Sequence, residues 1–141
     1  MKQEEIIVAA LSGEAIVFLG AGFSVGAKNF TSKGEFLIGK QLCDALIEDG
    51  KIDVTGESES DTSDLQYIST RYLETNTKRD LLKLLKNIYC CKSVGEEHIK
   101  IASIPWKKIY TTNYDDVMEV ASKIASKNRQ AVETKTKIGE V

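Results

Sequence analysis

Two short loops hold the residues whose types and spacing could do chemistry. The first, Gly20-Ala21-Gly22-Phe23-Ser24-Val25-Gly26, follows directly on the apolar run Ala15-Ile16-Val17-Phe18-Leu19. Glycines let a backbone come close to a phosphate, and exposed N–H groups with the positive end of a following helix attract the anion. Ser24 adds a hydroxyl. The second loop, Thr111-Thr112-Asn113-Tyr114-Asp115-Asp116, follows the short β-rich stretch Lys108 to Thr111. Its amide (Asn113), carboxylate (Asp115) and hydroxyls (Thr111, Thr112) suit the ribose hydroxyls and carboxamide of a dinucleotide. Each loop also has a plainer reading. The first is then a tight strand-to-helix turn; in the second, Asn113 or Asp115 caps a helix with Asp116 near its positive end. The glycine pattern departs from G-x-G-x-x-G, because Val25 stands where the third glycine belongs. It is no P-loop either, since Lys28 is not adjacent to a Ser or Thr.

The elements that must position these loops read as an alternation. Glu4 to Leu11 is an amphipathic helix with Ile6, Ile7, Ala10 and Leu11 on its apolar side, ended by Gly13. Ala15 to Leu19 is too short for a typical helix and rich in β-branched residues, as in a parallel strand buried on both faces. Glu35 to Asp49 reads as a helix through Ile38, Leu42, Ala45 and Leu46, with Gly50 as its stop. Gly56 to Asp64 lacks apolar residues and reads as an acidic, solvated loop. Leu65 to Glu74 is helical, and Thr77 caps a further helix with Leu81, Leu85, Ile88 and Tyr89 on one face. Glu96 to Ser103 is another helix, ended before Pro105. Lys108 to Thr111 is the second strand, Tyr110 continuing its buried run. Val117 to about Lys127 is helical, and Gln130 to Thr134 begins a third strand. The order implies an α/β fold with a parallel sheet flanked by helices.

Composition narrows the function classes. The chain has 141 residues, 42% hydrophobic and 28% charged, the make-up of a soluble globular domain. Nineteen basic against 21 acidic residues give a net charge of -2, so no electrostatic case exists for nucleic acid or a membrane surface. No apolar run approaches a membrane span and the acidic start is no secretory signal, which implies the cytoplasm. Cys43, Cys90 and Cys91 form no disulfide framework and no C-x-x-C pair, so no structural zinc is expected. The one histidine, His98, lies in a predicted helix and reads as a surface or partly packed residue.

Taken together, Phe18-Leu19-Gly20-Ala21-Gly22-Phe23-Ser24 and Ile104 to Glu119, with Thr111-Thr112-Asn113-Tyr114-Asp115 at its centre, resemble the sirtuin-like domain family, in particular its bacterial branch without the deacylase zinc module. Gly20, Ala21, Gly22 and Ser24 match that family's G-A-G-x-S; Thr111, Asn113 and Asp115 match its T-Q-N-x-D, with Thr112 replacing the glutamine. The resemblance spans roughly Ile16 to Val120. It implies a Rossmann-like domain that binds NAD, with Gly20, Ala21, Gly22, Phe23 and Ser24 on the phosphate side. Asn113, the catalytic residue, then holds the nicotinamide ribose, Asp115 helps to place the nicotinamide, and Thr112 belongs to the same cofactor-binding set. The implied reaction cleaves NAD into nicotinamide and ADP-ribose, in this branch often as a defence against phage. Homo-oligomers or a further C-terminal domain are the partners it implies.

Three departures bear on activity. The zinc cysteines of the deacylases are missing. Val25 to Phe30 lacks the arginine and aspartate that follow the deacylase glycine motif. The family's catalytic histidine lies after the second motif, whereas no histidine follows Asn113 here. The expectation is therefore one sirtuin-like domain over 1–141, incomplete at its C-terminal end and inactive by itself. The alternatives are a module that binds NAD or ADP-ribose without chemistry, and an interaction domain whose glycine loop is only a turn.

Overall fold

Two parallel strands set the position of everything around the loops. In the computed structural model, which describes residues 2–139 and the side chains of residues 2–129, β1 (Ile16–Leu19) pairs with β4 (Lys108–Thr111). The register is Ile16↔Lys108, Val17↔Ile109, Phe18↔Tyr110 and Leu19↔Thr111. Lys107 N–H donates to Ala15 O at one end and Thr112 N–H donates to Leu19 O at the other. Parallel strands need a long crossover, and here the chain makes it between Gly20 and Lys107.

The chain divides into two compact units. One combines Met1–Lys28 with Cys91–Val141, the other is Asn29–Cys90. The first unit is mixed α/β, the two-strand parallel sheet being flanked by helices. It contains α1 (Gln3–Leu11), a single 3-10 turn (Ala21–Ser24), α6 (Glu96–Ser103) and α7 (Val117–Gly139). The second holds α2 (Lys40–Gly50), α3 (Glu59–Thr62), α4 (Leu65–Thr75) and α5 (Lys78–Tyr89). The short strands β2 (Lys28–Asn29) and β3 (Cys91–Ser93) lie where the chain leaves the first unit and re-enters it. No helix among the described residues is long and apolar enough to cross a membrane.

In the first unit, α6 and α7 pack closely. Val117, Ala121 and Ala125 recur every fourth residue, form one buried stripe with Met118, and stay small enough for a close helix approach. Several expectations fail here. The strands are not buried on both faces: Ile16 is 47% and Phe18 78% exposed, and Ile109 and Tyr110 are exposed too. An apolar run reports a tendency to be covered, and two strands cover each other's edges rather than their faces. Phe18 and Tyr110, paired across the strands, stack on one another at 5.1 Å and 17° and stay largely exposed. Likewise Ile6, Ile7 and Leu11 of α1 are exposed and Ala10 is buried. Gly13 does end that helix region, at φ +78°, where a Cβ would lie 3.2 Å from the Pro105 carbonyl oxygen. The third strand at Gln130 to Thr134 does not exist: α7 continues to Gly139. No glycine or proline interrupts Val117 to Ile138, and Ala131, Glu133 and the lysines favour helix over the few β-branched residues.

The second unit is a helical core. Leu42, Cys43 and Leu46 of α2 meet Ile68 and Tyr72 of α4 and Ile88 of α5. Thr77 caps α5 as expected: its hydroxyl accepts from Asp80 N–H while Asp80 accepts from Thr77 N–H. α2 starts later than the apolar spacing predicts, because Gly39 at φ +49°, ψ −121° cannot be helical. The acidic stretch is not wholly a loop; Ser58 accepts from Asp61 N–H and caps the one-turn α3, and Glu57 pairs with Arg71. Gly50 is the last residue of α2 rather than a left-handed stop, and Lys51 takes that conformation at φ 50°. Gly50 is needed for clearance, since a Cβ there would stand 2.7 Å from Tyr72 Cδ2.

Two outcomes follow. Gly50→Ala should destabilise the chain: overpacking against a buried ring costs about 1–3 kcal/mol, while the helix-propensity gain is at most about 1 kcal/mol; urea unfolding measures the difference. Tyr72 donates to Asp49 at 2.7 Å. Burial, helped by that bond and the Asp49 charge, pushes its phenol from 10.0 up to about 12. Its neutral form is thus held longer by the folded chain, so the stability it contributes is full below pH 10 and lost as pH rises to about 12. Urea midpoints measured across that window should fall less steeply in Tyr72→Phe than in the wild type.

Candidate functional site

The in-register ending of β1 and β4 brings the two loops side by side, because Leu19 faces Thr111 and both chains leave the sheet at that level. Thr111 Oγ1 accepts from Asn113 N–H at 3.0 Å, which turns the chain and aims the Asn113 side chain at the glycine loop. Asn113 Nδ2 then donates to Gly20 O at 2.9 Å and to Ser24 Oγ at 3.1 Å. Ser24, only 6% exposed, donates its hydroxyl to Asp115 Oδ2 at 2.6 Å. The other oxygen, Asp115 Oδ1, accepts from Val117 N–H at 3.1 Å in the first turn of α7. An amide, a hydroxyl and a carboxylate thus form one chain from the end of β1 to the start of α7.

The capping reading of Asp115 is met, and its second oxygen makes a contact that neither sequence reading placed. One oxygen satisfies an otherwise unpaired helix amide, and the other holds the glycine loop. Helix capping extends to Asp116, whose carbonyl accepts from Val120 N–H. Its side chain accepts from Cys91 N–H at 2.6 Å and so fixes the re-entry of the chain at β3. The Cys91 thiol is pushed up to about 11, by burial first and then by the Asp116 charge. It is therefore a protonated, unreactive thiol near neutral pH.

The glycine loop differs from expectation in one respect. It opens a four-residue 3-10 turn rather than an α-helix, so the segment that follows β1 is too short to direct a helix's positive end at the loop. Phe23 N–H and Val25 N–H donate to Gly20 O and Gly22 O and close the turn on itself. Gly20 and Gly22 are required by nothing in the chain's own geometry. Neither has a positive φ, and a Cβ on either would meet no atom within 4 Å. The backbone there is open to close approach from outside.

The remaining predicted residues are placed as follows. Ala21 and Gly22 lie on the exposed side of the turn. Thr112 joins the arrangement through its backbone bond to Leu19, with its side chain exposed. Phe23 is half-buried, and its ring meets the His98 imidazole edge-on at 5.2 Å and 84°. His98 is buried rather than a surface residue. No sequence signal places it against Phe23, although Gly95-x-x-His98 has the spacing by which a third helical residue reaches back to the N-cap amide. Among the described residues, no group of three or more His, Cys, Asp or Glu side chains is placed to hold a metal ion. Comparison of the chain with family models, with curated proteins and with solved structures finds no match.

Ser24→Ala removes the middle of the hydrogen-bonded chain and leaves Asp115 and Asn113 each short of a partner. The variant should unfold at lower urea, by about 1–3 kcal/mol for bonds that involve a charged group.

Proposed function

We propose that the chain is a sirtuin-like, Rossmann-like module that binds NAD, as part of an enzyme that splits NAD into nicotinamide and ADP-ribose in the cytoplasm. The observation that supports this best is the side-chain sequence Asn113–Ser24–Asp115 at the carboxyl ends of two parallel strands, where open α/β sheets bind their ligands. The two glycines that the chain's own packing does not require, Gly20 and Gly22, support a close approach by phosphates. In this reading Gly20, Ala21, Gly22, Phe23 and Ser24 form the phosphate side. Thr112, Asn113 and Asp115 stand at the nicotinamide ribose.

The reaction breaks the bond between ribose C1′ and the pyridinium nitrogen. The bond's electron pair goes to that nitrogen, so nicotinamide leaves neutral. Water adds to C1′ and releases a proton. The protein's work is to orient the ribose and stabilise the positive charge that develops on it. Asn113, held at both its backbone and its amide, is a rigid group for the first task. Asp115 supplies a fixed negative charge for the second. Defence against phage and assembly with further copies or a C-terminal domain belong to the same proposal, on resemblance alone.

A second reading has its own observation. His98, the sole histidine, is 5% exposed and its Nδ1 already accepts from Gly95 N–H. With that nitrogen engaged at the end of α6, this observation favours binding of NAD or ADP-ribose without chemistry. Calorimetry should show saturable binding of NAD or ADP-ribose, weakened about tenfold or more in Asn113→Ala (~1.4 kcal/mol), with little nicotinamide released. No heat with either ligand overturns the proposal. Rapid NAD consumption by this chain overturns the second reading.

A further inference from the structure

We propose that His98 is a positioning residue for the glycine loop, its imidazole joining the first turn of α6 to the ring of Phe23 and so setting the shape of the turn Ala21–Ser24. Three observations meet on this side chain. It is 5% exposed, a burial that a polar ring tolerates only when bonded. Nδ1 accepts from Gly95 N–H at 3.0 Å, which satisfies an end amide of α6 and puts the proton of the neutral ring on Nε2. The ring stands edge-on to Phe23, and Cε1 lies 3.8 Å from where a Cβ on Gly26 would be. The imidazole therefore meets the loop at its middle, on Phe23, and lies close to its last residue, the left-handed Gly26, φ +87°.

The loop is then held from two directions at adjacent residues. Ser24 is tied to α7 through Asp115, and Phe23 to α6 through His98. α6 and α7 pack on each other, so both ties lead to one rigid pair of helices. The ring holds the loop at Phe23, and the acceptor serves the end amide of α6. Asparagine keeps the acceptor and loses the ring. Phenylalanine keeps the ring and loses the acceptor. Alanine loses both.

The inference concerns loop geometry and stands apart from the identity of the ligand; only its consequence for affinity rests on the proposed NAD reading. Amide hydrogen exchange on the full 141-residue chain tests it, comparing the wild type with His98→Ala, His98→Asn and His98→Phe. The amides of Phe23, Val25 and Ala27, which close the loop's turns, should exchange about tenfold faster in the Ala and Asn variants. In His98→Phe they should stay within about threefold of the wild type. Amides of α4 and α5 should be unchanged in all of them, and Gly95 N–H should be less protected in the Phe and Ala variants. Should His98→Ala fail to fold, the Asn and Phe variants decide.

Loop exchange that stays at the wild-type rate in His98→Asn overturns the proposal. So does acceleration spread evenly over the loop, α6 and α7 in every variant, the mark of a merely structural residue. NAD titration separates the two claims. If the wild type binds NAD, His98→Asn should weaken binding more than His98→Phe does, and the reverse order counts against His98. If the wild type binds no NAD while the exchange pattern is as expected, the functional reading falls and the role of His98 stands.

Discussion

The Asp115 carboxylate is the constraint on which the rest of the site depends. One oxygen accepts from Val117 N–H and the other from the Ser24 hydroxyl. A carboxylate is acceptor-only and has room for several donors, so it serves both without conflict. The start of α7 and the shape of the glycine loop are thereby one event rather than two. Because Asn113 also donates to Ser24 and to Gly20, no residue of this network changes position without disturbing β1, the loop and α7 together.

That network is possible because of strand register. Parallel pairing of Leu19 with Thr111 ends both strands at one level, and residues 93 positions apart in the chain, Gly20 and Asn113, come within 2.9 Å. A shift of one residue would turn every side chain to the opposite face. The sheet itself is thin, with Phe18 and Tyr110 stacked on each other in the open. Precision in the site thus derives from the helices: Val117, Ala121 and Ala125 seat α7, α6 packs against it, and both hold the loop through short polar and aromatic ties.

Much of the local structure was legible in the residues. Thr77 with Asp80 announces the start of α5, since a hydroxyl and a carboxylate three residues apart satisfy each other's amides. Leu42, Cys43, Leu46, Ile68, Tyr72 and Ile88 carry helical spacing and form the helical core. β4 spans Lys108–Thr111, the bounds its β-rich stretch Ile109-Tyr110-Thr111 suggests. The failures have separate physical causes. A third strand expected at Gln130 to Thr134 is instead helix, because the helix already running from Val117 extends through it, each added residue gaining a bond without a new nucleation cost. Ile6, Ile7, Ile16 and Phe18 are apolar and exposed, since hydrophobicity states what favours burial and not whether a neighbour is there to supply it. Gly50 was legible as a helix end, but its reason is the Tyr72 ring.

For the candidate site the division is sharp. The residue types, the order strand–glycine loop and strand–polar loop, and the capping chemistry of Asp115 are properties of local sequence. They depend on backbone conformation and on bonds between near neighbours. That Asn113 meets Gly20 and Ser24, that Ser24 is buried on Asp115, and that His98 lies under Phe23 are decided by tertiary structure alone. These contacts join segments about 75 to 93 residues apart (roughly the length of a small domain), and the sequence holds no short-range signal for them. What places them is a strand register and a helix packing that exist only once the whole unit has folded.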